Sequence, residues 1–115
     1  MQITDEYVAS EIAKGKSYVM AFLIAGPNYE NYPEALLEEN HRAHLRHLFT
    51  LKAEGKLLIN GPLGKENKRI RGVSIYNSSS VAEVQSWIEK DPAVVAGRFT
   101  FEIYPWFGIP GGQLV

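Results

Sequence analysis

Residues 17–26 read SYVMAFLIAG, an almost unbroken apolar run that Gly26-Pro27 closes. A run this short, rich in branched and aromatic side chains and stopped by a Gly-Pro pair, predicts a strand buried on both faces. Such a strand belongs in the middle of a sheet. The rest of the chain must therefore supply neighbours for its edges and cover for its faces.

Upstream, Thr4 is placed to cap a short helix with Val8 and Ile12 on one face and Gly15 at its end, so residues 1–16 read as a helical extension. Downstream, the polar turn PNYENY leads to Pro33 at a first helical position, and helical spacing holds to Glu54, with Gly55 as the stop. KLLINGPL (56–63) and RIRGVSIYN (69–77), joined by the polar GKENKR, predict a hairpin. Ser80 with Glu83 forms a capping-box pattern, after which Val81, Val84 and Ile88 mark the inner face of a second helix. Asp91-Pro92 opens one further turn that Gly97 can close. RFTFEIYPW (98–106) alternates as a last strand, and the Gly/Pro-rich tail FGIPGGQLV (107–115) is expected not to continue it. The order strand, helix, strand, strand, helix, strand is the split pattern of a ferredoxin-like α+β domain, here residues 17–106. Two helices cover one face of such a sheet. The other face is expected to be covered by a second copy packed sheet to sheet, which predicts a homodimer.

A chain of 115 residues fits one domain with one core. A formal net charge of −1 gives no field for phosphate backbones or anionic lipid, so nucleic acid and membrane are not expected partners. The absence of cysteine excludes a disulfide framework, a thiol nucleophile and a thiolate metal site. Acids near the N-terminus, and no apolar run of bilayer length, lead to the expectation of a soluble, cytoplasmic protein.

The chain's three histidines, His41, His44 and His47, all lie on the long helix. At about 100° per residue, Leu37, Leu45, Leu48 and Leu51 form one apolar arc containing His41 and His44, with His47 at its polar edge. An imidazole facing a sheet needs hydrogen-bond partners, since an unpaired buried polar group costs roughly 1–3 kcal/mol. Backbone carbonyls or water could supply them, and so could a polar ligand. Glu38, three before His41, has the Glu-x-x-His spacing of carboxylate-bridged metal sites, but the His41–His44 spacing is not that of a helical zinc pair, and no metal is expected. No nucleophile-elbow motif supports serine catalysis. General acid–base chemistry remains open, because a carboxylate beside a histidine orients its ring and favours its charged form. Asp91 could be that carboxylate, although an aspartate directly before proline is also what a helix N-cap looks like. The two roles can coexist, with one oxygen on backbone amides and the other toward a histidine.

The chain resembles the YCII-related family. The resemblance rests on His44-Leu45, Gly55 eleven residues on, Gly61-Pro62 six further within Asn60–Leu63, then Asp91-Pro92, Ala96-Gly97 and Pro105-Trp106, and it covers roughly residues 17–106. It implies a ferredoxin-like βαββαβ subunit in a dimeric α/β barrel arrangement and an enzymatic His–Asp pair that carries over onto His44 and Asp91. Many relatives carry an arginine where this chain has His41, so an anion contact there would depend on pH. The extension and the tail exceed the minimal domain and could lid the pocket or serve the dimer.

The expected function is general acid–base chemistry of lyase or isomerase type on a cyclic or aromatic small molecule, with His44 moving the proton, Asp91 holding it and no cofactor. Tyr18, His41, Asn60, Tyr104 and Trp106 are candidates to line the substrate pocket. The alternatives are a non-catalytic metabolite-binding or assembly dimer and a cofactor-free monooxygenase, which fold alone does not separate.

Overall fold

The computed structural model describes residues 1–112 and Leu114. Helix α1 (Asp5–Ile12) precedes strand β1 (Lys16–Ala25), helix α2 (Glu34–Ala53), strands β2 (Leu57–Pro62) and β3 (Ile70–Tyr76), helices α3 (Val81–Ile88) and α4 (Pro92–Val95), and strand β4 (Phe99–Gly108). Local chemistry fixes most of these ends. Thr4 Oγ1 accepts the Tyr7 N–H at 3.1 Å, and Ser80 Oγ accepts that of Glu83 at 3.1 Å. Only half of the expected capping box forms, because the Ser80 N–H donates instead to Ser78 Oγ. Pro33 stands one residue earlier than expected, as the N-cap of α2.

Helices α2 and α4 end alike. Gly55 and Gly97 both adopt φ of 75°, which lets the following N–H groups turn back onto the helix: Lys56 donates to Leu51 at 2.9 Å and Arg98 to Ala93 at 3.0 Å. The second of these turns delivers Arg98 to the head of β4.

The sheet order is β2-β3-β1-β4, and every pair is antiparallel. Strand β1 is therefore central, as its apolar run requires, with Val19 opposite Tyr76 on one side and Pro105 on the other. This is the ferredoxin-like order with extra helices at α1 and α4. The barrel expectation is corrected: the sheet is open, and β2 and β4 are separate edges, each paired on one side only. Closure would require the two edge strands to pair with each other, and β2 and β4 lie at opposite ends of the sheet order. The tail expectation also changes, because β4 continues through Phe107 and Gly108, which pair with Ser17 and Lys16 at the start of β1. A partner strand that begins at Lys16 leaves backbone groups for these residues to satisfy.

Val19, Ala21, Leu48, Leu51, Leu57, Tyr76, Val84 and Ile88 form the core between the sheet and its helices. Leu37 and Leu45, expected in the buried arc of α2, are instead more than a third exposed; only His44, Leu48 and Leu51 of that helix are buried. No residue of α1 is buried. Side chains alternate along a strand, so Tyr18, Met20 and Phe22 point to the face opposite Val19 and Ala21. They meet Tyr104 and Trp106 of β4 there: Tyr18 and Trp106 lie tilted at 6.2 Å between ring centroids, Phe22 and Tyr104 edge to face at 6.0 Å. Tyr104 and Trp106 remain 48% and 43% exposed, so this face is an uncovered apolar surface. No helix among the described residues is long and apolar enough to cross a membrane.

Candidate active site

Helix α2 is latched to the α3–α4 segment by polar side chains one turn apart. Asn40 Nδ2 donates to the Pro92 carbonyl at 3.2 Å, and His47 Nε2 donates to that of Trp87 at 3.0 Å. Between them, His44 Nδ1 donates to Asp91 Oδ2 at 2.7 Å, with His44 only 6% and Asp91 2% exposed. The other oxygen, Oδ1, accepts the Ala93 N–H at 2.9 Å and so caps α4, whose first residue is Pro92. Asp91 thus serves as helix cap and histidine partner at once. Because the cap fixes the carboxylate, the carboxylate fixes the ring.

An ionised carboxylate can only accept hydrogen bonds, so Nδ1 carries the proton and Nε2 is the nitrogen left for a ligand. His44 forms part of the wall of a cavity of about 360 Å³ beneath α2, at the end of the sheet where β1, β2 and β3 converge. That volume suits a small molecule. His41 stands at its exposed rim, with its ring centroid 6.1 Å from that of His44. Asn60 lines it from β2, with its side-chain oxygen taken by Lys52 Nζ at 2.8 Å, which leaves its amide N–H groups for a ligand. Ser74, buried on β3, adds a hydroxyl.

Of the candidate residues, the structure brings together His44, Asp91, His41 and Asn60. Tyr18, Tyr104 and Trp106 lie on the opposite face of the sheet and do not line this cavity. Among the described residues, none of α1 and none of the tail lines it either. Glu38 is engaged by Arg42 at 3.1 Å on the outer surface of α2, and no group of three or more His, Asp or Glu side chains among the described residues is placed to hold a metal ion.

Residues that the sequence did not single out complete the wall. Arg98, 6% exposed, donates to Asn40 Oδ1 at 2.8 Å and lies over the rings of Phe99 and Tyr32 at 5.2 and 5.7 Å. Arg71 donates to the Asn67 carbonyl and lies 5.5 Å from the Tyr29 ring. The Nε of each is buried without a partner among the described residues, and neither guanidinium is paired with a carboxylate there. Aromatic contacts return about 0.5–2 kcal/mol each, less than the several kcal/mol that withdrawing a guanidinium from water costs. Tyr29, beside Arg71, and Phe99, beside Arg98, meet at 5.7 Å between ring centroids with their planes tilted by 39°, and Phe99 also meets His44 at 5.5 Å. The site is therefore a planar-walled cavity with an oriented imidazole and two arginines on its lining.

Residues 19–107 match the YCII-related domain. Among solved structures, the chain is similar to 5-chloro-2-hydroxyhydroquinone dehydrochlorinase from Burkholderia phenoliruptrix AC1100, in complex with 2,5-dihydroxybenzoquinone. The two are 26% identical, the match covers 79% of this chain and 93% of that one, and the TM-score is 0.53. It is also similar to a dimeric ferredoxin-like protein from an uncultured marine organism, at 18% identity, 87% and 99% coverage and a TM-score of 0.45. No curated protein matches.

Proposed function

The chain belongs to the YCII-related domain family, and on that premise we propose that it is a small-molecule enzyme of lyase or isomerase type acting on a cyclic or aromatic compound, with His44 as its general acid–base group. One observation carries the reading: His44 is held by Asp91 at 2.7 Å while the ring borders a cavity of about 360 Å³. That separation lies inside the hydrogen-bond range a working pair needs. His44 Nε2 takes a proton from a hydroxyl or ring carbon of the substrate. The electron pair of the broken bond forms the new π bond as a leaving group departs, or shifts along the ring so that the proton returns to another carbon. Asp91 does not touch substrate; it positions the ring and supports the charge that develops on it. The likeness to a dehydrochlorinase bound to a quinone supports a ring substrate and an elimination.

We propose further that the uncovered aromatic face packs against the same face of a second copy, giving a homodimer whose two cavities are separate. Tyr104 and Trp106, nearly half exposed on that face, support it.

The test is a panel of hydroxyhydroquinones with and without a ring chlorine, lactones and dicarboxylic metabolites, followed by chromatography and chloride release. Turnover by wild type that His44→Gln abolishes while still binding the compound supports the proposal. Binding without turnover by wild type favours a metabolite-binding protein, and oxygen uptake with an electron-rich phenol favours a cofactor-free monooxygenase.

A further inference from the structure

The two arginines of the cavity have no part in moving the proton. Arg98 is buried, spends one N–H on the neutral Asn40 side chain, and has no partner for its Nε among the described residues. Arg71, half-buried on β3, donates to a backbone carbonyl, and its Nε too has no partner among the described residues. Both line the same cavity as His44. Nature's usual solution for a buried guanidinium is a carboxylate within reach, and among the described residues none pairs with either. Tyr29 lies against Arg71 and Phe99 against Arg98, and both rings line the cavity beside the cations.

We infer that the substrate is a planar ring bearing a delocalised oxyanion, either a carboxylate or the ionised vinylogous acid of a hydroxyquinone, and that Arg98 and Arg71 are the residues that bind it. This rests on the cavity beside His44 being the substrate site. A guanidinium offers parallel N–H donors matched to two oxygens sharing one charge, which a neutral diol does not reward. The arrangement also selects an orientation: the anionic edge lies toward the arginines and the remainder of the ring toward His44. An anion that is bound before reaction gains further from the same cations if negative charge grows as the proton leaves.

The experiment measures binding of four probes by calorimetry: 2,5-dihydroxybenzoquinone, 2,5-dihydroxybenzoate, inorganic phosphate and neutral benzene-1,4-diol. At least one ring anion is expected to bind more than about tenfold tighter than the diol, with phosphate weak for want of a ring to stack. Which ring anion wins separates hydroxyquinone from carboxylate. Arg98→Gln and Arg71→Gln are each expected to lose about tenfold for the anion and nothing for the diol, while Arg98→Lys restores part of the preference. Should Arg98→Gln fail to fold, Arg71→Gln, which leaves the Asn40 contact intact, decides the matter. Equal affinity for anionic and neutral rings, no binding of any probe by wild type, or an anion preference that survives both Gln substitutions overturns the inference. His44→Gln keeps the two proposals apart: retained turnover sinks the acid–base reading, whereas the anion preference is read without turnover and stands or falls by itself.

Discussion

Asp91→Asn is the substitution that most sharply tests how the site is held. Asp91 uses both of its oxygens, Oδ1 on the Ala93 N–H at 2.9 Å and Oδ2 on His44 Nδ1 at 2.7 Å, whereas asparagine has a single side-chain oxygen. If that oxygen stays on the cap, the amide NH2 faces Nδ1, which must then accept, and the ring proton moves to Nε2. The cost is a charge-assisted bond replaced by a neutral one, about 1 kcal/mol. If the oxygen instead follows the histidine, the cap is lost at about 0.5–2 kcal/mol and a buried N–H faces another donor at about 1–3 kcal/mol more. The first arrangement wins. Asp91→Asn is therefore expected to unfold about 1 kcal/mol more easily in urea, with the His44 tautomer reversed and Nε2 no longer able to take a proton. Turnover should fall by about 10²- to 10⁴-fold, the contribution of a positioned base. Long-range proton–nitrogen NMR of the His44 ring reads the tautomer directly. A ring still protonated on Nδ1 in the variant, or turnover within about tenfold of wild type, would refute the reasoning.

Two further outcomes follow from the packing. Burial pushes the Tyr76 phenol up to about 12, aided by the charge of Asp91 and opposed by Ser74. The folded state thus resists ionisation that the unfolded chain undergoes near the ordinary phenol value of 10.0, so its contribution is complete below that pH and is lost as the pH rises toward 12, by about 3 kcal/mol in all. Wild type should lose that stability relative to Tyr76→Phe in urea titrations across this window, and parallel pH profiles for the two would exclude the assignment. The proposed sheet-face homodimer predicts that Trp106→Glu, which sets a charge on the exposed aromatic face, yields monomers by light scattering at micromolar concentration; wild type that is itself monomeric there removes the dimer.

The sequence by itself determined the elements and their order. An apolar run too short for a buried helix, glycines where helices must stop, and serine, threonine or aspartate where they start act through the backbone within a few residues, so no distant contact was needed to read them. It also carried the coincidence of cap and carboxylate at Asp91, because Asp-Pro announces one role and leaves a second oxygen for the other.

Tertiary structure alone decided which residues share the cavity. Tyr18, Tyr104 and Trp106 have the aromatic character of pocket walls, yet strand register sends them to the far face, and only the pairing of β1 with its neighbours fixes which parity looks at α2. Arg98 and Arg71 read locally as ordinary strand-end cations. Their isolation from any carboxylate among the described residues is a property of the packed neighbourhood, brought about for Arg98 by the turn at Gly97 and by Asn40 on a helix 58 residues earlier in the chain. The open sheet, too, is a matter of which edges pair: β2 and β4 lie at opposite ends of the order, a property of the assembled sheet and of no single stretch of letters.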